Sequence, residues 1–375
     1  MNKKKICQLT SVHSRHDTRI YNKICHSLAQ GGYDVFLIVA DGLGDESINN
    51  IEILDVGTNT SRLKRFLNTS KSIFNLALEL NCEIYQFHDP ELFPVALKLK
   101  KRGYKVIFDS HEYLPGQILD KEYIPVFFRK LISYSVEKYF DINIKKLDAV
   151  ISVTPHIIDK FRSKSGNAIQ LTNYPILESD NNSFYKEEYI KRKNTVFYAG
   201  TIYETSQQYH IIKAIESIDN VKYSLVGTIN DKYKNILKIL SAWDKVELTS
   251  FVPKVELDKI AMNATIGLAI FDYIPNLGYK IGSLGVNKIF EYMLYGLPII
   301  CTDFILWKEI VEKYNCGLYV NPNDINAITK AIRYLIENKE EAYEMGQNGR
   351  NAVLEEFNWN TQETILLHTY KSLLS

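Results

Sequence analysis

Residues 278–303, GYKIGSLGVNKIFEYMLYGLPIICTD, decide the fold class of this chain. The stretch begins with a loop that holds three glycines, continues into a helix at 287–296, and ends in a short apolar strand after Pro298. A strand that is apolar on both faces is typical of a parallel sheet covered by helices on both sides. Loop, helix and buried strand in this order therefore indicate an α/β domain.

The same alternation of apolar strands and amphipathic helices extends outward through residues 195–359. We predict strands at 195–200, 222–227, 245–253, 266–274, 298–303 and 316–321, each followed by a helix. Such a series predicts a doubly wound parallel sheet. Ligands of these folds bind beyond the carboxyl ends of the strands, so the residues that directly follow each strand are the site candidates.

The first half of the chain repeats this pattern. Strands are predicted at 5–10, 35–41, 51–56, 83–89, 105–111 and 149–154, and helices at 19–32, 62–81 and 90–103. The alternation stops at residues 174–194, which are polar and contain Pro175. We therefore predict two Rossmann-like domains, 1–173 and 195–359, joined by a linker at 174–194.

Composition and charge limit the functional class. A chain of 375 residues that is 46% hydrophobic and 24% charged is typical of a globular protein with two domains. A net charge of +1 argues against nucleic acid as a partner. Residues 1–170 hold 24 Lys and Arg against 19 Asp and Glu, whereas the remainder holds 21 against 25, so the two halves have opposite net charge. The five cysteines lack zinc-site or CxxC spacing, and no apolar run reaches the length of a membrane span, so we expect a cytoplasmic protein.

Glycine, lysine and glutamate follow the strands of the second half at positions suited to a nucleotide. Gly200-Thr201 ends the first strand, where a glycine lets backbone N–H groups approach a phosphate. The helix that begins at Asn287-Lys288 adds its free N–H groups and an ammonium, which together favour a diphosphate. Glu291 lies on the same helix face as Lys288, and its carboxylate can accept both hydroxyls of a ribose. The alternative is a surface Lys–Glu pair.

Histidines and charged residues follow three strands of the first half. Residues 11–19, SVHSRHDTR, precede a helix and hold two histidines, two arginines and an aspartate, a set that suits an anion. The alternative is a solvated loop in which Asp17 caps the helix. Asp89, just before Pro90, is equally consistent with a helix cap. Residues 109–112, Asp-Ser-His-Glu, end a buried strand, and we predict a site role for them.

Five segments of the sequence together resemble one enzyme family. They are HSRHDTRIYNKICHSLAQGGYDV (13–35), YQFHDPELFPVALKLKKRGYKVIFDSHEY (85–113), NKIFEYMLYGLPIICTD (287–303), CGLYVNPNDINAITKAI (316–332) and MGQNGRNAVLEEFNW (345–359). Over nearly its whole length the chain is similar to family 4 of the retaining GT-B glycosyltransferases, in the branch found in bacterial surface-polysaccharide gene clusters. The resemblance implies a GT-B fold, in which two Rossmann-like domains face a cleft and a C-terminal helix, here 360–375, crosses back to the first domain.

The resemblance also implies ligands and roles. Residues 1–173 would bind an acceptor, a glycan or lipid-linked oligosaccharide of O-antigen, capsule or exopolysaccharide synthesis. Residues 195–359 would bind a nucleotide-sugar donor, a UDP- or GDP-sugar, with no metal and no other cofactor; the sequence contains no DxD metal motif. Glu291 would hold the donor ribose, Lys288 and Gly200 the diphosphate, and His111 would lie near the transferred sugar. The predicted catalytic residues are Asp17, His111 and Glu291. The predicted donor-binding residues are Arg15, Arg19, Gly200, Thr201, Ser283, Gly285, Asn287, Lys288 and Glu291.

The sequence departs from the family pattern at two places. Ser283 stands eight residues before Glu291, where the family has a glutamate that touches the sugar. Residues 203–208, YETSQQ, contain no basic residue, whereas the family usually has an arginine in this loop. A diphosphate leaving group needs positive charge beside it in the transition state. We therefore hypothesise that basic residues elsewhere in the chain supply this charge. The candidates are Arg15, Arg19, Lys280 and Lys288. A non-catalytic GT-B paralogue and a nucleotide-sugar epimerase are the alternative functions.

Residues 121–146 mix aromatic residues with lysines and arginines. This composition is typical of a helix that lies on an anionic membrane surface, which would place the protein peripherally at the inner face of the cytoplasmic membrane. The alternative is a helix packed on its own domain, with solvated lysines.

Overall fold

A computed structural model describes residues 3–58, 61, 65–111, 113–121, 124–177 and 185–375. Contacts divide the chain into two compact units. The first comprises Met1–Asn173 and Trp359–Ser375, and the second comprises Tyr174–Asn358.

The first unit is built on an eight-stranded sheet. Its strands are β1 (Lys5–Leu9), β2 (Asp34–Val39), β3 (Glu46–Ile48), β4 (Ile51–Asp55), β5 (Ile84–Phe87), β6 (Lys105–Ser110), β7 (Ala149–Ser152) and β8 (Ala168–Gln170). Their order is β3-β4-β2-β1-β5-β6-β7-β8, and all pairs are parallel except the antiparallel edge pair β3–β4. Strands β3 and β8 were not predicted, because three residues are too few to give a hydropathy pattern.

Helices cover both faces of this sheet. They are α1 (His26–Gln30), which continues a π-type helix at Thr18–Cys25, α2 (Ser70–Leu80), α3 (Phe93–Lys101), α4 (Leu114–Asp120), α5 (Val126–Asn143) and α6 (Pro155–Arg162). In β1, Cys7 and Leu9 pack into one apolar cluster, whereas Ile6 packs into another on the opposite face. Burial on both faces explains why these strands are apolar throughout.

The second unit is built on a six-stranded sheet. Its strands are β9 (Thr195–Ala199), β10 (Lys222–Val226), β11 (Val246–Thr249), β12 (Ile266–Ala269), β13 (Ile299–Thr302) and β14 (Gly317–Val320). All pairs are parallel, in the order β11-β10-β9-β12-β13-β14, which is the strand order of a Rossmann fold. The predicted α/β class with two doubly wound sheets is confirmed.

The helices of the second unit are α7 (Lys186–Lys191), α8 (Gln208–Ala214), α9 (Asp231–Lys238), α10 (Lys254–Asn263), α11 (Lys288–Leu294), α12 (Ile305–Tyr314), α13 (Ile325–Glu337) and α14 (Lys339–Glu355). The last helix, α15 (Trp359–Leu374), returns to the first unit, where Trp359 Nε1 donates to Ser27 Oγ at 2.9 Å.

Residues 174–194, predicted as a linker, pack largely on the second unit. Tyr174 is buried, with its ring 4.7 Å from that of Phe290, and Tyr189 of α7 lies in the core of this unit. Residues 178–184 lie outside the described part. The change of unit therefore falls between residues 173 and 174.

Each sheet reverses its winding beside its first strand, between β1 and β5 in the first unit and between β9 and β12 in the second. Loops diverge at such switch points and leave a crevice at the carboxyl ends of the strands. Among the described residues, no helix has both the length and the hydropathy that a membrane span requires.

Candidate functional site

Gly200 and Lys288 meet at the carboxyl end of β9. Gly200 has φ +132°, and a Cβ at this position would lie 2.2 Å from Lys288 Nζ. Gly227, which follows the adjacent β10, has φ +144° and comes so close that its Cβ would lie 1.8 Å from the Gly200 carbonyl oxygen. Because neither glycine has a side chain, the carboxyl end of β9 has room for the Lys288 ammonium and for a ligand of that ammonium.

The Lys288 ammonium lies among protein groups without an anion in contact. It sits over the Tyr198 ring, 5.2 Å from the centroid, and within the described residues it makes no hydrogen bond or ion pair. Burial lowers the pKa of Lys288, partly offset by the charge of Glu291. An unneutralised ammonium at a helix start is suited to bind an anion.

Asn287 adds an unused acceptor at the same place. Its Oδ1 is buried and has no hydrogen-bond partner in the described structure. Asn287 precedes α11 without capping it, since its side chain makes no bond to the helix N–H groups. Buried polar atoms are rarely left unpaired, so this amide and the free N–H groups of α11 are expected to pair with a bound ligand.

Ser283 and Gly285 shape the loop before α11. Ser283 is buried, its Oγ accepts from Gly285 N at 3.1 Å, and its carbonyl oxygen accepts from Trp307 Nε1 at 3.0 Å. Ser283 therefore braces the loop on α12, which is a structural role in addition to the predicted contact with donor. Thr201 is exposed, and Glu291 is partly exposed on α11.

The loop at 203–208 is held by its own side chains. Ser206 Oγ donates to the Tyr203 carbonyl at 2.6 Å and accepts from Tyr203 N at 3.2 Å. Gln208 is buried and donates to the Ser206 carbonyl at 2.9 Å. The polar residues that stand in place of the expected arginine thus stabilise the loop.

In the first unit, Arg19 forms a buried ion pair with Asp109. Its Nε and one terminal nitrogen donate to the two carboxylate oxygens at 3.0 and 2.8 Å, and its other nitrogen donates to the Leu171 carbonyl at 3.0 Å. Both side chains are almost fully buried. Burial would raise the pKa of Asp109, but the Arg19 charge holds that pKa well below its usual value.

Arg15 is likewise bound within the first unit. Its Nε and one terminal nitrogen contact Asp41 at 2.9 and 2.8 Å, and its remaining nitrogen contacts Glu46 at 3.1 Å. Both predicted phosphate-binding arginines are thus already neutralised by carboxylates. The hypothesis that they supply the missing positive charge does not fit this geometry, because their donors are used inside the unit.

Asp17 caps the helix, which is the alternative that the sequence left open, and it also contacts His13. Its Oδ1 caps the helix by accepting from the N–H groups of Arg19 and Ile20, each at 2.9 Å, whereas its Oδ2 lies 3.5 Å from His13 Nδ1. Burial would raise the pKa of Asp17, but the bonds from His13 and Ile20 hold that pKa well below its usual value. His13 also lies 3.4 Å from Asp89, and despite burial these carboxylates raise its pKa.

His111 completes this cluster, which joins residues from three strand ends. Its ring lies 4.9 Å from that of His13, and its Nε2 lies 3.0 Å from His88 Nδ1. Asp89 does not cap the following helix; it accepts from Thr10 Oγ1 and Ser11 N at 2.8 and 2.6 Å. The structure thus brings the predicted Asp17 and His111 together around His13. Glu112 lies outside the described residues.

His88, Asp109 and His111 could together hold a metal ion, because one ligand atom of each lies within 4.8 Å of the others. The bidentate Arg19 contact opposes this, since it already neutralises the Asp109 carboxylate.

The search for known relatives gives a family match for the second unit. Residues 180–352 match the family described as Glycosyl transferases group 1. This range includes the whole Gly200–Lys288 region. A search of curated protein sequences finds no significant match.

Solved structures share the fold of the whole chain. Sucrose-phosphate synthase from Thermosynechococcus elongatus is 15% identical, with a TM-score of 0.77 and 99% of both chains covered. A glycosyltransferase from Rickettsia africae is 15% identical, with a TM-score of 0.75 and full coverage of both chains. Anabaena HepE, solved in complex with UDP-glucose, is 14% identical, with a TM-score of 0.68 and coverage of 98% and 99%. The chain therefore has the GT-B fold.

Three residues of the cluster in the first unit were missed as site residues. In the sequence, His13 is one of several polar residues of the loop 11–19, Asp89 is equally consistent with a helix cap, and His88 lies within the predicted strand 83–89. Each follows a strand next to the switch point, so strand order would have selected them. Strand order depends on pairing between distant segments, which hydropathy alone does not determine.

Proposed function

We propose that this chain is a glycosyltransferase that moves a sugar from a nucleotide-sugar donor to a glycan or lipid-linked oligosaccharide acceptor in bacterial surface-polysaccharide synthesis. The observation that carries the proposal is the Lys288 ammonium at the open, glycine-bounded end of β9. This arrangement lies inside the residues that match the group 1 glycosyl transferases. It supplies a cation and free helix N–H groups, which together suit a diphosphate.

The donor diphosphate would bind at Gly200, Thr201, Asn287 and Lys288, with the ribose on Glu291. Anabaena HepE binds UDP-glucose on the same fold, which supports a UDP-sugar as the first donor to test. Arg15 and Arg19 are paired with carboxylates within the first unit. Lys288 and the N–H groups of α11 would therefore supply most of the stabilisation of the departing diphosphate, and Lys280 would be the second basic residue to contribute.

The reaction we propose keeps the anomeric configuration and uses no metal. The bond between the anomeric carbon and the diphosphate oxygen breaks, and the acceptor oxygen bonds to that carbon on the same face. The departing diphosphate takes the proton of the acceptor hydroxyl. Asp17 and His111 would then orient the transferred sugar and the acceptor.

A lipid-linked acceptor is supported by helix α5. Eight of its large apolar residues are exposed, and Phe127 is 76% accessible. Lys130 and Lys138 are exposed on the same helix. The alternative of a helix packed wholly on its own domain does not fit, because few of its residues are buried. An apolar surface flanked by lysines suits an anionic membrane surface, and we propose that α5 makes this contact at the inner leaflet.

The decisive test measures binding and turnover of UDP-, GDP-, dTDP- and CMP-sugars. One donor is expected to raise the melting temperature and to release nucleotide slowly. Glu291→Gln is expected to lose this stabilisation, whereas Glu355→Gln, at an exposed position of the same unit, is expected to keep it. Binding without turnover in the presence of acceptor extracts would favour the non-catalytic alternative, and turnover to a second nucleotide sugar would favour the epimerase. If no donor binds, the proposal is wrong.

A further inference from the structure

Helix α6 begins with two buried polar atoms that have no partner. Thr154, directly before the helix, is fully buried, and its Oγ1 makes no hydrogen bond in the described part of the chain. Two residues further on, His156 Nδ1 is also buried and unpaired, although the ring as a whole is partly exposed. Buried polar atoms are rarely left without a partner, so we expect these two atoms to pair with a bound group.

The backbone at the same helix start keeps a donor free. Thr154 has the extended conformation of a helix cap, with φ −132° and ψ 146°, yet its side chain caps no N–H group. Its carbonyl oxygen accepts from Ile157 N and Ile158 N at 3.2 and 3.1 Å. Because Pro155 has no N–H, His156 N is the first donor of α6, and within the described residues it has no acceptor. A hydroxyl, a ring nitrogen and a backbone N–H are thus free within three residues.

Other hydroxyl groups near this edge of the first sheet are paired. Ser152 Oγ donates to the Ser110 carbonyl at 2.8 Å, and Thr172 Oγ1 donates to the Val153 carbonyl at 3.1 Å. Thr154 differs from both, although it is as deeply buried. Its free hydroxyl is therefore not a general property of these strand ends, and it distinguishes the start of α6 as a ligand site.

The charges around the start of α6 favour an anion. Lys160 lies one turn after the unpaired ring, is exposed, and contacts the Tyr113 ring at 3.7 Å without an ion pair in the described structure. The nearby carboxylates have partners, since Glu137 accepts from the Tyr113 hydroxyl and Asp159 pairs with Arg162 at 2.9 Å. The positive end of the helix dipole adds to the Lys160 charge. A phosphate, with several acceptor oxygens, suits these donors.

The exposed apolar residues of α5 begin at the same edge of the sheet. Strands β6 and β7 are parallel neighbours, and the end of α5 leads into β7. Helix α5 therefore runs back from the carboxyl edge, where Thr154 also lies. Phe127 and Phe128, in its first turn, are 76% and 53% exposed. A phosphate at α6 would thus lie at the edge of the sheet where an apolar surface begins.

We propose that Thr154, His156 and the first free N–H group of α6 bind a phosphate group, and that this phosphate belongs to a lipid-linked acceptor. The acceptor in this inference rests on the proposed function, whereas the phosphate site does not. Both unpaired side-chain atoms are covered in the free protein, so the partly exposed His156 ring turns outward when the phosphate enters. The apolar residues of α5 favour a phosphate that carries a lipid chain over a soluble sugar phosphate.

The test follows phosphate binding by the ¹⁵N signals of histidine-labelled protein. His156 is one of eight histidines, and its signals are identified by their absence in His156→Asn. The probes are inorganic diphosphate, glucose 1-phosphate and geranyl diphosphate. All titrations use the Lys288→Met chain, so that binding at Lys288 does not contribute. We expect the amide and ring signals of His156 to shift and to saturate.

Thr154→Val is the decisive variant, because it removes the hydroxyl but keeps the shape of the side chain. We expect it to weaken phosphate binding about tenfold, the effect of one hydrogen bond to a charged group, with no loss of stability, since this hydroxyl is unpaired in the free protein. Thr154→Ser keeps a hydroxyl and should retain binding. Thr369→Val is the matched control, because Thr369 is also buried in the first unit but donates to the Ile365 carbonyl. It should bind phosphate as the Lys288→Met chain does.

The three probes distinguish the sources of the phosphate. Tighter binding of geranyl diphosphate than of inorganic diphosphate would support the lipid-linked acceptor. Glucose 1-phosphate binding at least as tightly as geranyl diphosphate would overturn that part and assign the site to a soluble sugar phosphate. If no probe moves the His156 signals, or if Thr154→Val binds as tightly as Thr154→Ser, the site holds water only and the proposal is wrong.

Turnover connects this site to the proposed reaction. With an active donor, Thr154→Val should raise the acceptor KM about tenfold at unchanged donor KM. An unchanged acceptor KM would separate the phosphate site from the acceptor. Because the spectra need no donor, they decide the phosphate site even if no nucleotide sugar is ever turned over, so the two proposals can fail independently.

Discussion

The Lys288 ammonium occupies the space that a side chain at position 200 would fill, because a Cβ on Gly200 would lie 2.2 Å from Lys288 Nζ. These residues are 88 positions apart in the sequence, one at the end of β9 and the other at the start of α11. The Lys288 ammonium can therefore lie here only because residue 200 has no side chain.

Gly200→Ala is therefore expected to weaken donor binding about tenfold or more and to lower stability by about 1–3 kcal/mol, since it adds backbone strain to the displacement of Lys288. Gly103→Ala is the matched control, because Gly103 also has positive φ, +91°, but has open space around its Cβ position. The control should lower stability alone. Calorimetric donor affinity and melting temperature measure the two effects, and equal donor affinity in both variants would contradict the assignment.

Lys288→Met is expected to reduce donor affinity about 10–100-fold while leaving stability unchanged or slightly higher, because it removes a buried charge that has no anion in contact. Lys330→Met, at an exposed position of α13, should change neither property. Titration calorimetry and thermal unfolding provide the readouts. A large loss of stability in Lys288→Met would instead indicate a structural lysine.

The pH dependence of binding follows from the same residue. Burial holds the pKa of Lys288 below its usual value in the free protein, and a bound diphosphate would raise it. Binding should thus take up a proton between these two pKa values, and affinity should fall as pH rises through the lower one. Calorimetry in two buffers of different ionisation enthalpy measures the uptake. It should vanish in Lys288→Met, and uptake that persists there would point to another group.

Arg19→Met separates a structural arginine from a phosphate-binding one. It leaves the Asp109 carboxylate buried without its partner, so we expect a loss of about 3–5 kcal/mol in unfolding free energy. Arg162→Met, which breaks an exposed pair with Asp159, should cost under about 1 kcal/mol. Donor affinity at a temperature where the variant is folded should be unchanged. Reduced affinity at full stability would restore the hypothesis that Arg19 binds phosphate.

Phe127→Asp is expected to abolish sedimentation with vesicles that contain anionic lipid, because it places a carboxylate on the exposed apolar surface of α5. Phe251→Asp, at a residue 79% exposed in the second unit, should bind as the unchanged chain does. Binding should weaken as salt rises, since Lys130 and Lys138 contribute. A concentration-dependent dimer that Phe127→Asp disrupts would instead make α5 an interface between two copies.

The sequence by itself determined the fold class and singled out the residues of the proposed donor site. Apolar strands that alternate with amphipathic helices can bury their surfaces in few ways, so local patterns were sufficient for two doubly wound sheets. Gly200, Asn287 and Lys288 are predicted as donor-binding residues because each directly follows a strand or begins a helix, and such positions can be recognised in the local sequence. The short strands β3 and β8 were missed, since they are defined by their pairing with β4 and β7.

Only the tertiary structure decided which charges are free. In the sequence Arg15 and Arg19 look like phosphate-binding residues, yet Asp41 and Asp109, which lie 26 and 90 residues away, neutralise them. The hydrogen bond from Gln8 Nε2 to the Tyr370 hydroxyl has no local signature, because it joins residues that are 362 positions apart. Hydropathy and spacing report which surfaces are buried, but the partner of a buried charge or amide is set by distances in space, and these arise only when the sheet has formed.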